Sequence, residues 1–456
     1  RGLLCAFSIY REAVPVEAAL AVLTTITKER ALVILGSLLE QHLLQVPLAS
    51  GLYQPHPIVA AYARRHFFLD EATSGESAGK TAHEKAARYY QQMVAASNIT
   101  PDRRKGIGDV QPLIEAVWQL CQAEQFQEAY ELMQRENLFE KLKLWGANTA
   151  LLELCQMLFA GNWVYTAQQK ALIFSYIAKT SKILGRKQEA LRYFEQALHV
   201  RREVGDRRGE GVTLNDLGEV YDDLGWKQEA LGYYEQALRI SKEVEDRGGE
   251  GTTLNNLGTV YDRLGQKQKA LGYYKQALHI KREVGDHEGE GIALNNLGLV
   301  YNDLGRKQEA LGYYELSLRI RREVGDRRGE GVTLNNLGGV YNDLGRKQEA
   351  LGYYEQALRI RREVGDRGGQ GTALHNIGAA CFDLGRNDVA LASFLQAKHI
   401  FEQVQSPQID RAARWIAGLR ERVGEEQFAV LLAQVEREGM EQVVERTLRE
   451  MLSKDL

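Results

Sequence analysis

Cysteine, proline and methionine are scarce in this chain, and no stretch approaches the ~18 consecutive apolar residues that a membrane span requires. The four cysteines (Cys5, Cys121, Cys155 and Cys381) stand at unrelated spacings, which fits neither a disulfide framework nor a zinc site, and a reducing compartment is expected. One-sided charge is also lacking. With 58 Lys and Arg against 61 Asp and Glu, the formal charge of −3 is too balanced for a chain built to coat nucleic acid or an anionic membrane. No charged-then-apolar leader opens the sequence, so a soluble, cytoplasmic protein is expected. Its start at Arg1, inside the helix-like stretch Gly2-Leu3-Leu4-Cys5-Ala6-Phe7, leads us to expect more chain upstream. Against seven prolines stand 44 glycines, and these recur at fixed intervals.

Laid on itself at a period of 40, the chain aligns Leu214-Asn215-Asp216-Leu217-Gly218 with Leu254-Asn255-Asn256-Leu257-Gly258, Leu294-Asn295-Asn296-Leu297-Gly298 and Leu334-Asn335-Asn336-Leu337-Gly338. His375-Asn376-Ile377-Gly378 is a worn copy. Behind each come a tyrosine (Tyr221, Tyr261, Tyr301, Tyr341), a glycine (Gly225 to Gly385), an alanine (Ala230 to Ala390) and an aromatic (Tyr234, Tyr274, Tyr314, Tyr354, Phe394). Leu214, Leu217, Gly218 and Tyr221 share one helical face, Gly225 stops that helix, and Ala230, Leu231, Tyr234, Ala237 and Leu238 mark a second. Two helices per unit cannot bury their apolar faces alone, so neighbouring units must stack. The order Leu-Gly, Tyr, Ala, aromatic, Ala resembles the tetratricopeptide repeat, here lengthened to 40 residues, and implies an all-α superhelical solenoid. Six units are expected over 165–408, with bridging helical hairpins over 109–164 and capping helices over 409–456. Gly232, Gly272, Gly312 and Gly352 fall in mid-helix, where close helix approach is expected, the alternative being drift. The pairs Arg201-Arg202, Arg321-Arg322 and Arg361-Arg362, each beside a glutamate, read as a solvated outer face.

Val212, Asn215, Glu219 and Asp222 and their equivalents lie opposite the packing stripe. In the family that this resembles, that side of the first helix lines a concave groove. The resemblance therefore puts Asn215, Asn255, Asn295 and Asn335, with His375 in the last copy, in a ladder along it. Asp222, Asp262, Asn302 and Asn342 form a second row. An asparagine suits the main chain of an extended peptide, and kinesin light chain and related adaptors also carry Leu-Asn-Asn-Leu. A protein or peptide partner in the groove is thus expected, one with some positive charge where Glu219, Asp222 and Asp262 make it acidic. Recent duplication is the competing reason for the ladder, since units 209–248 and 329–368 differ at only seven positions.

Residues 1–71 follow a different pattern. Apolar helical stretches at 2–9, 16–24 and 28–40 precede two alternating segments, His42 to Val46 and Leu52 to Gln54, on either side of a turn at Gly51. Pro57 then opens a further helix, completing a small winged-helix domain with a β-hairpin. Its third helix, Glu29 to Glu40, is largely apolar, so nucleic acid is an unlikely partner and transcription regulation ranks last among the readings. The stretch Gly51 to Arg64 resembles the winged helix that follows the nucleotide-binding domain of STAND-class NTPases of the NB-ARC type. In that family a Met-His-Asp motif sits where Pro55-His56-Pro57 sits here, and its histidine contacts the β-phosphate of ADP. The resemblance makes His56 the nucleotide sensor, with only the histidine of the motif kept. It implies that ADP or ATP belongs to a domain of the same protein outside this chain, which itself needs no cofactor.

Within the linker expected over 72–108, Ser74-Gly75-Glu76-Ser77-Ala78-Gly79-Lys80-Thr81 imitates a phosphate-binding loop. Its glycines enclose three residues where four are needed, and no strand leads into it. One helix is expected from 81 to 97. No metal-ligand spacing and no catalytic constellation is found, so this chain is not read as an enzyme. The leading expectation is the sensor region of a STAND-type NTPase; the alternative is a free-standing tetratricopeptide adaptor.

Overall fold

The computed structural model describes residues 2–23, 26–46, 52–55, 59–60, 75–97, 99–161 and 163–452. The chain divides into two compact units, Arg1–Val220 and Tyr221–Leu456. His56 and most of the helix expected after Pro57 lie outside the described residues.

In the first unit, α1 (Gly2–Ser8), α2 (Val16–Val22) and α3 (Lys28–Glu40) precede two short antiparallel strands, β1 (Leu44–Gln45) and β2 (Gln54–Pro55). Tyr53 also exchanges backbone hydrogen bonds with Val14, so the hairpin is anchored to the segment between α1 and α2. Phe7, Ile9, Val14 and Leu44 are buried at the centre of this small domain. The next helix runs Gly75–Ala96, taking in the imitation phosphate loop, and Lys80 there pairs with Glu124 at 2.8 Å. Helices Gln111–Gln122, Phe126–Arg135, Leu138–Leu144 and Asn148–Ala160 follow. Arg11 ties the N-terminal domain to them: its guanidinium meets the buried Glu115 at 2.7 Å and Glu153 at 2.8 Å, above the face of Trp118.

From Ala167 onward, helical hairpins succeed one another every 40 residues up to Gln403, and helices Ile409–Val423, Glu425–Glu438 and Met440–Leu452 close the second unit. Local chemistry explains each boundary. Asp246, Asp286, Asp326 and Asp366 cap the first helices by accepting hydrogen bonds from the amides of Gly249, Gly289, Gly329 and Gly369. Gly265, at φ +75°, ends the first helix of its unit, and Gln266 donates back to the Tyr261 carbonyl at 2.9 Å.

In four of the hairpins one glycine sets how closely the helices approach, whereas Ala178 holds that place in the first. A Cβ on Gly258, Gly298, Gly338 or Gly378 would stand 2.6 to 2.8 Å from the ring of Tyr274, Tyr314, Tyr354 or Phe394. The mid-helix glycines behave otherwise. Around Gly232, Gly272 and Gly312 a Cβ would meet nothing within 4 Å, so the close approach expected there does not occur.

The outer arginines also differ from expectation. Arg321 and Arg361 are buried, as is Lys281, which takes the same place, while Arg201 in the first unit is partly buried. Each lies at the end of a second helix and plugs the junction with the next hairpin. A Cβ on Gly329 would fall 1.7 Å from Arg321 Nη1, so the Gly-Glu-Gly run at 329–331, which is Gly-Gln-Gly at 369–371, makes room for the guanidinium. Burial pulls the Arg201, Arg321 and Arg361 guanidiniums below their ordinary pKa range, while Asp206, Asp326 and Asp366 oppose that shift. Arg202, Arg282 and Arg322 do face solvent, reaching Glu210, Glu290 and Glu330.

These two glycine classes give opposite expectations. Gly272→Ala and Gly312→Ala should each stabilise the array by about 1 kcal/mol. Gly298→Ala should destabilise it by about 1–3 kcal/mol through overpacking on Tyr314. Urea titration followed by circular dichroism checks both signs.

Candidate binding face of the repeat array

The sequence nominates the first-helix face opposite the packing stripe, and the structure sorts its residues into two groups. The asparagines of the ladder are engaged between neighbouring hairpins. Asn255 Oδ1 accepts a hydrogen bond from Asn296 Nδ2 at 3.1 Å, Asn295 Oδ1 from Asn336 Nδ2 at 3.1 Å, and Asn335 Oδ1 from Asn376 Nδ2 at 3.0 Å. Asn295 is buried and also accepts from Thr333 Oγ1 at 3.3 Å. The first Asn of one Leu-Asn-Asn-Leu motif thus accepts from the second Asn of the next, which explains both residues at that spacing. In the first unit, Asn215 is half-buried and Asp216 replaces the donor, pairing instead with Lys179 at 3.1 Å.

The second row is clasped in the same way. Lys267 bridges Asp262 and Asp303, Lys307 bridges Asn302 and Asp343, and Lys347 bridges Asn342 and Asp383, with distances of 2.5 to 3.0 Å. Where Arg263 stands in place of the aspartate, its guanidinium pairs with Asp222 and its carbonyl accepts from Lys227. The charge exchange preserves the clasp.

His375 does not line an open face. It is 1 % exposed, against the rings of Phe394 and Trp415, and neither ring nitrogen has a hydrogen-bond partner among the described residues. The helix Ile409–Val423 brings Trp415 over it, which no repeat arithmetic could locate. Burial, helped by Arg411, pushes the imidazole pKa down to about 4.

The positions one turn to either side of the asparagine are engaged to differing degrees: Thr252 accepts from Lys281, Thr259 accepts from Tyr274, and Ala379 packs against the core. In the first unit Val212 is exposed, and Glu219 is half-exposed and pairs with Lys182. In the second unit these positions hold Thr252 and Thr259, Ile292 and Leu299, Val332 and Gly339, and Thr372 and Ala379. Ile292 and Leu299 are exposed at 39 % and 38 %. Sequence reasoning passed over Ile292 and Leu299. The signal that finds them is variation: Glu219, Thr259, Leu299, Gly339 and Ala379 share no residue, although the leucine and glycine beside them are almost invariant from unit to unit. Beside this face, Tyr261 stacks on Tyr273, Tyr301 on Tyr313 and Tyr341 on Tyr353, with ring centroids 5.1 to 5.2 Å apart. Arg306 and Arg346 cover two of these pairs. Among the described residues no group of acids, histidines or cysteines could hold a metal ion, and no helix is long and apolar enough to cross a membrane.

A tetratricopeptide repeat family model matches residues 169–243, 228–283, 253–323, 286–363 and 329–403, just over half of the chain. The chain belongs to the tetratricopeptide repeat family. No curated protein matches it at a significant level. Among solved structures it is similar to a Signal Transduction ATPase with Numerous Domains (STAND) protein with a tetratricopeptide repeat sensor from Pyrococcus horikoshii, at 16 % identity and a TM-score of 0.53. That match covers 99 % of this chain and 64 % of the other, so the chain spans less than two thirds of that protein. It is also similar to a Rap protein complexed with competence and sporulation factor, at 17 % identity, 71 % and 99 % coverage and a TM-score of 0.47. A kinesin light chain with nearly identical repeats from Podosopora anserina matches at 20 % identity, 44 % and 100 % coverage and a TM-score of 0.37.

Two outcomes test this assignment of roles. Asn295→Ala should cost about 1–3 kcal/mol by leaving Asn336 and Thr333 without their acceptor, a larger loss than Leu299→Ala gives at its exposed site. For His375 the folded pKa lies below the ordinary 6.5, so the unfolded chain takes the proton first. Its contribution is complete above about pH 6.5 and falls as pH drops toward 4. Urea midpoints measured across that window should show a shallower slope for His375→Asn than for the wild type.

Proposed function

We propose that this chain is the sensor region of a STAND-type signalling NTPase. The repeat array binds a protein or peptide on the concave first-helix face. The small N-terminal domain, acting as a winged helix, relays that event to a nucleotide-binding domain of the same protein. The observation that carries the binding half is the position at 219, 259, 299, 339 and 379, which differs in every unit of an otherwise copied array. Repeat packing accepts a different side chain at each, so the differences can read side chains of a ligand, with Ile292 and Leu299 favouring an apolar one. The asparagine and aspartate rows hold the register of that face through the hydrogen bonds they make between neighbouring hairpins.

The relay rests on the link between Arg11 and Glu115 and on the likeness in fold to the Pyrococcus horikoshii protein, whose repeats are described as a sensor. In such a relay the ligand binds the open state more tightly than the closed one and shifts the population between them. His56 is the residue we assign to nucleotide sensing. The chain itself carries no phosphate loop or catalytic set, and the chemistry would belong to the missing domain.

Selection of peptides from a random library on the purified chain tests the binding half. Retained peptides should lose about tenfold or more in affinity for Ile292→Asp/Leu299→Asp, whereas Arg319→Glu on the opposite side should leave binding unchanged. Equal binding by the doubly substituted chain would overturn the assignment. In the full-length protein, His56→Ala should weaken ADP retention, and unchanged nucleotide occupancy would remove the role given to His56.

A further inference from the structure

Between the helix Gly75–Ala96 and the first bridging helices lies an open-mouthed cavity of about 660 Å³. Its size falls within the range of sites for small organic ligands, roughly 300–1,000 Å³. Among the described residues three arginines line it, Arg88, Arg104 and Arg135, against a single carboxylate, that of Glu136. Arg104 lies at the floor, its side chain 2 % exposed and 2.8 Å from Glu136. One carboxylate is enough to neutralise one buried guanidinium, yet Arg135 also approaches Glu136, at 3.5 Å, and Arg88 has no ion pair or hydrogen bond among the described residues. Arg104 Nε and Gln91 Nε2 are buried without hydrogen-bond partners.

Unpartnered buried donors are costly, and of the buried atoms here without a hydrogen-bond partner only Glu136 Oε2, which pairs with Arg104, is an acceptor. The cavity is therefore short of acceptor oxygen and of negative charge. Guanidinium groups take carboxylate and phosphate oxygens through paired N–H donors, so an oxyanion supplies both needs. The rest of the wall is aliphatic: Val94, Ile99, Leu113 and Leu132. No aromatic side chain lines the cavity, so a nucleobase would find no stacking platform.

We propose that this cavity binds a small amphipathic organic anion, its oxyanion head on Arg88, Arg104 and Arg135 and its aliphatic body on Val94, Ile99 and Leu132. The site lies where the helix that follows the N-terminal domain packs on the bridging helices, so an occupant would touch both. It is separate from the repeat face and independent of whatever ligand that face takes.

The test is calorimetric titration of the full 456-residue chain with octyl phosphate, octanoate, inorganic phosphate and octanol. We expect one octyl phosphate or octanoate to bind per chain, the tighter of the two identifying the head group. Inorganic phosphate and octanol should bind about tenfold or more weakly, each lacking half of the contacts. Arg88→Gln/Arg135→Gln changes exposed positions and spares Arg104, and should keep the wild-type circular dichroism and melting temperature while losing about tenfold in affinity. Three results would overturn the proposal: neither amphiphile binds, octanol or inorganic phosphate binds as tightly as the amphiphiles, or the doubly substituted chain binds unchanged. Peptide capture by the repeat face is a separate readout, so failure here leaves that reading standing and the reverse also holds.

Discussion

The contact on which the array depends is that between a glycine of the first helix and an aromatic ring of the second. With no Cβ on Gly258, Gly298, Gly338 or Gly378, the ring of Tyr274, Tyr314, Tyr354 or Phe394 lies against the helix backbone. That closeness fixes the spacing of the hairpin and brings Leu257, Val260, Ala270 and their equivalents into one layer. Every later feature inherits this geometry: each hairpin is a copy, so junctions between copies are also copies. An aspartate cap recurs at one offset, and a buried cation and an asparagine-to-asparagine hydrogen bond recur at theirs wherever the copies keep those residues.

Repetition has an electrostatic side as well. At Lys281, Arg321 and Arg361 a junction encloses a cation, and the glycine-flanked start of the next helix with its capping aspartate supplies the space and the counter-charge, whereas Ser241 takes that place in its own unit. A buried charge that must find its partner holds one register against slippage. The lysine clasps at the far ends of the first helices act at the opposite edge of the same junction. Together they leave the middle of the first-helix face as the region where packing accepts the most variation. That region is where the otherwise copied units diverge from one another.

The sequence and the structure agree most where periodicity carries the information. The helix stops at Gly265 and Gly305, the aromatic and alanine stripes and the N-terminal hairpin were all legible from spacing and residue type. The candidate site was legible only in part. Spacing put the asparagines opposite the packing stripe, but a single unit cannot show that Asn336 of the next unit reaches Asn295. The arginine pairs looked alike on paper, yet one member is buried and the other solvated, because the helix end turns one residue into the junction. His375 reads as a worn ladder position, and only the closing helix with Trp415 makes it an interior residue.

What the sequence determined by itself is the family, the 40-residue unit and the all-α architecture, because these follow from local patterns that every copy repeats. What the tertiary structure decided is which polar residues are engaged between units and which stay open, and the gathering of Arg88, Arg104 and Arg135 around one cavity. Those residues are distant in the chain and belong to no repeat. Their proximity depends on how non-identical helices pack, which periodicity cannot encode.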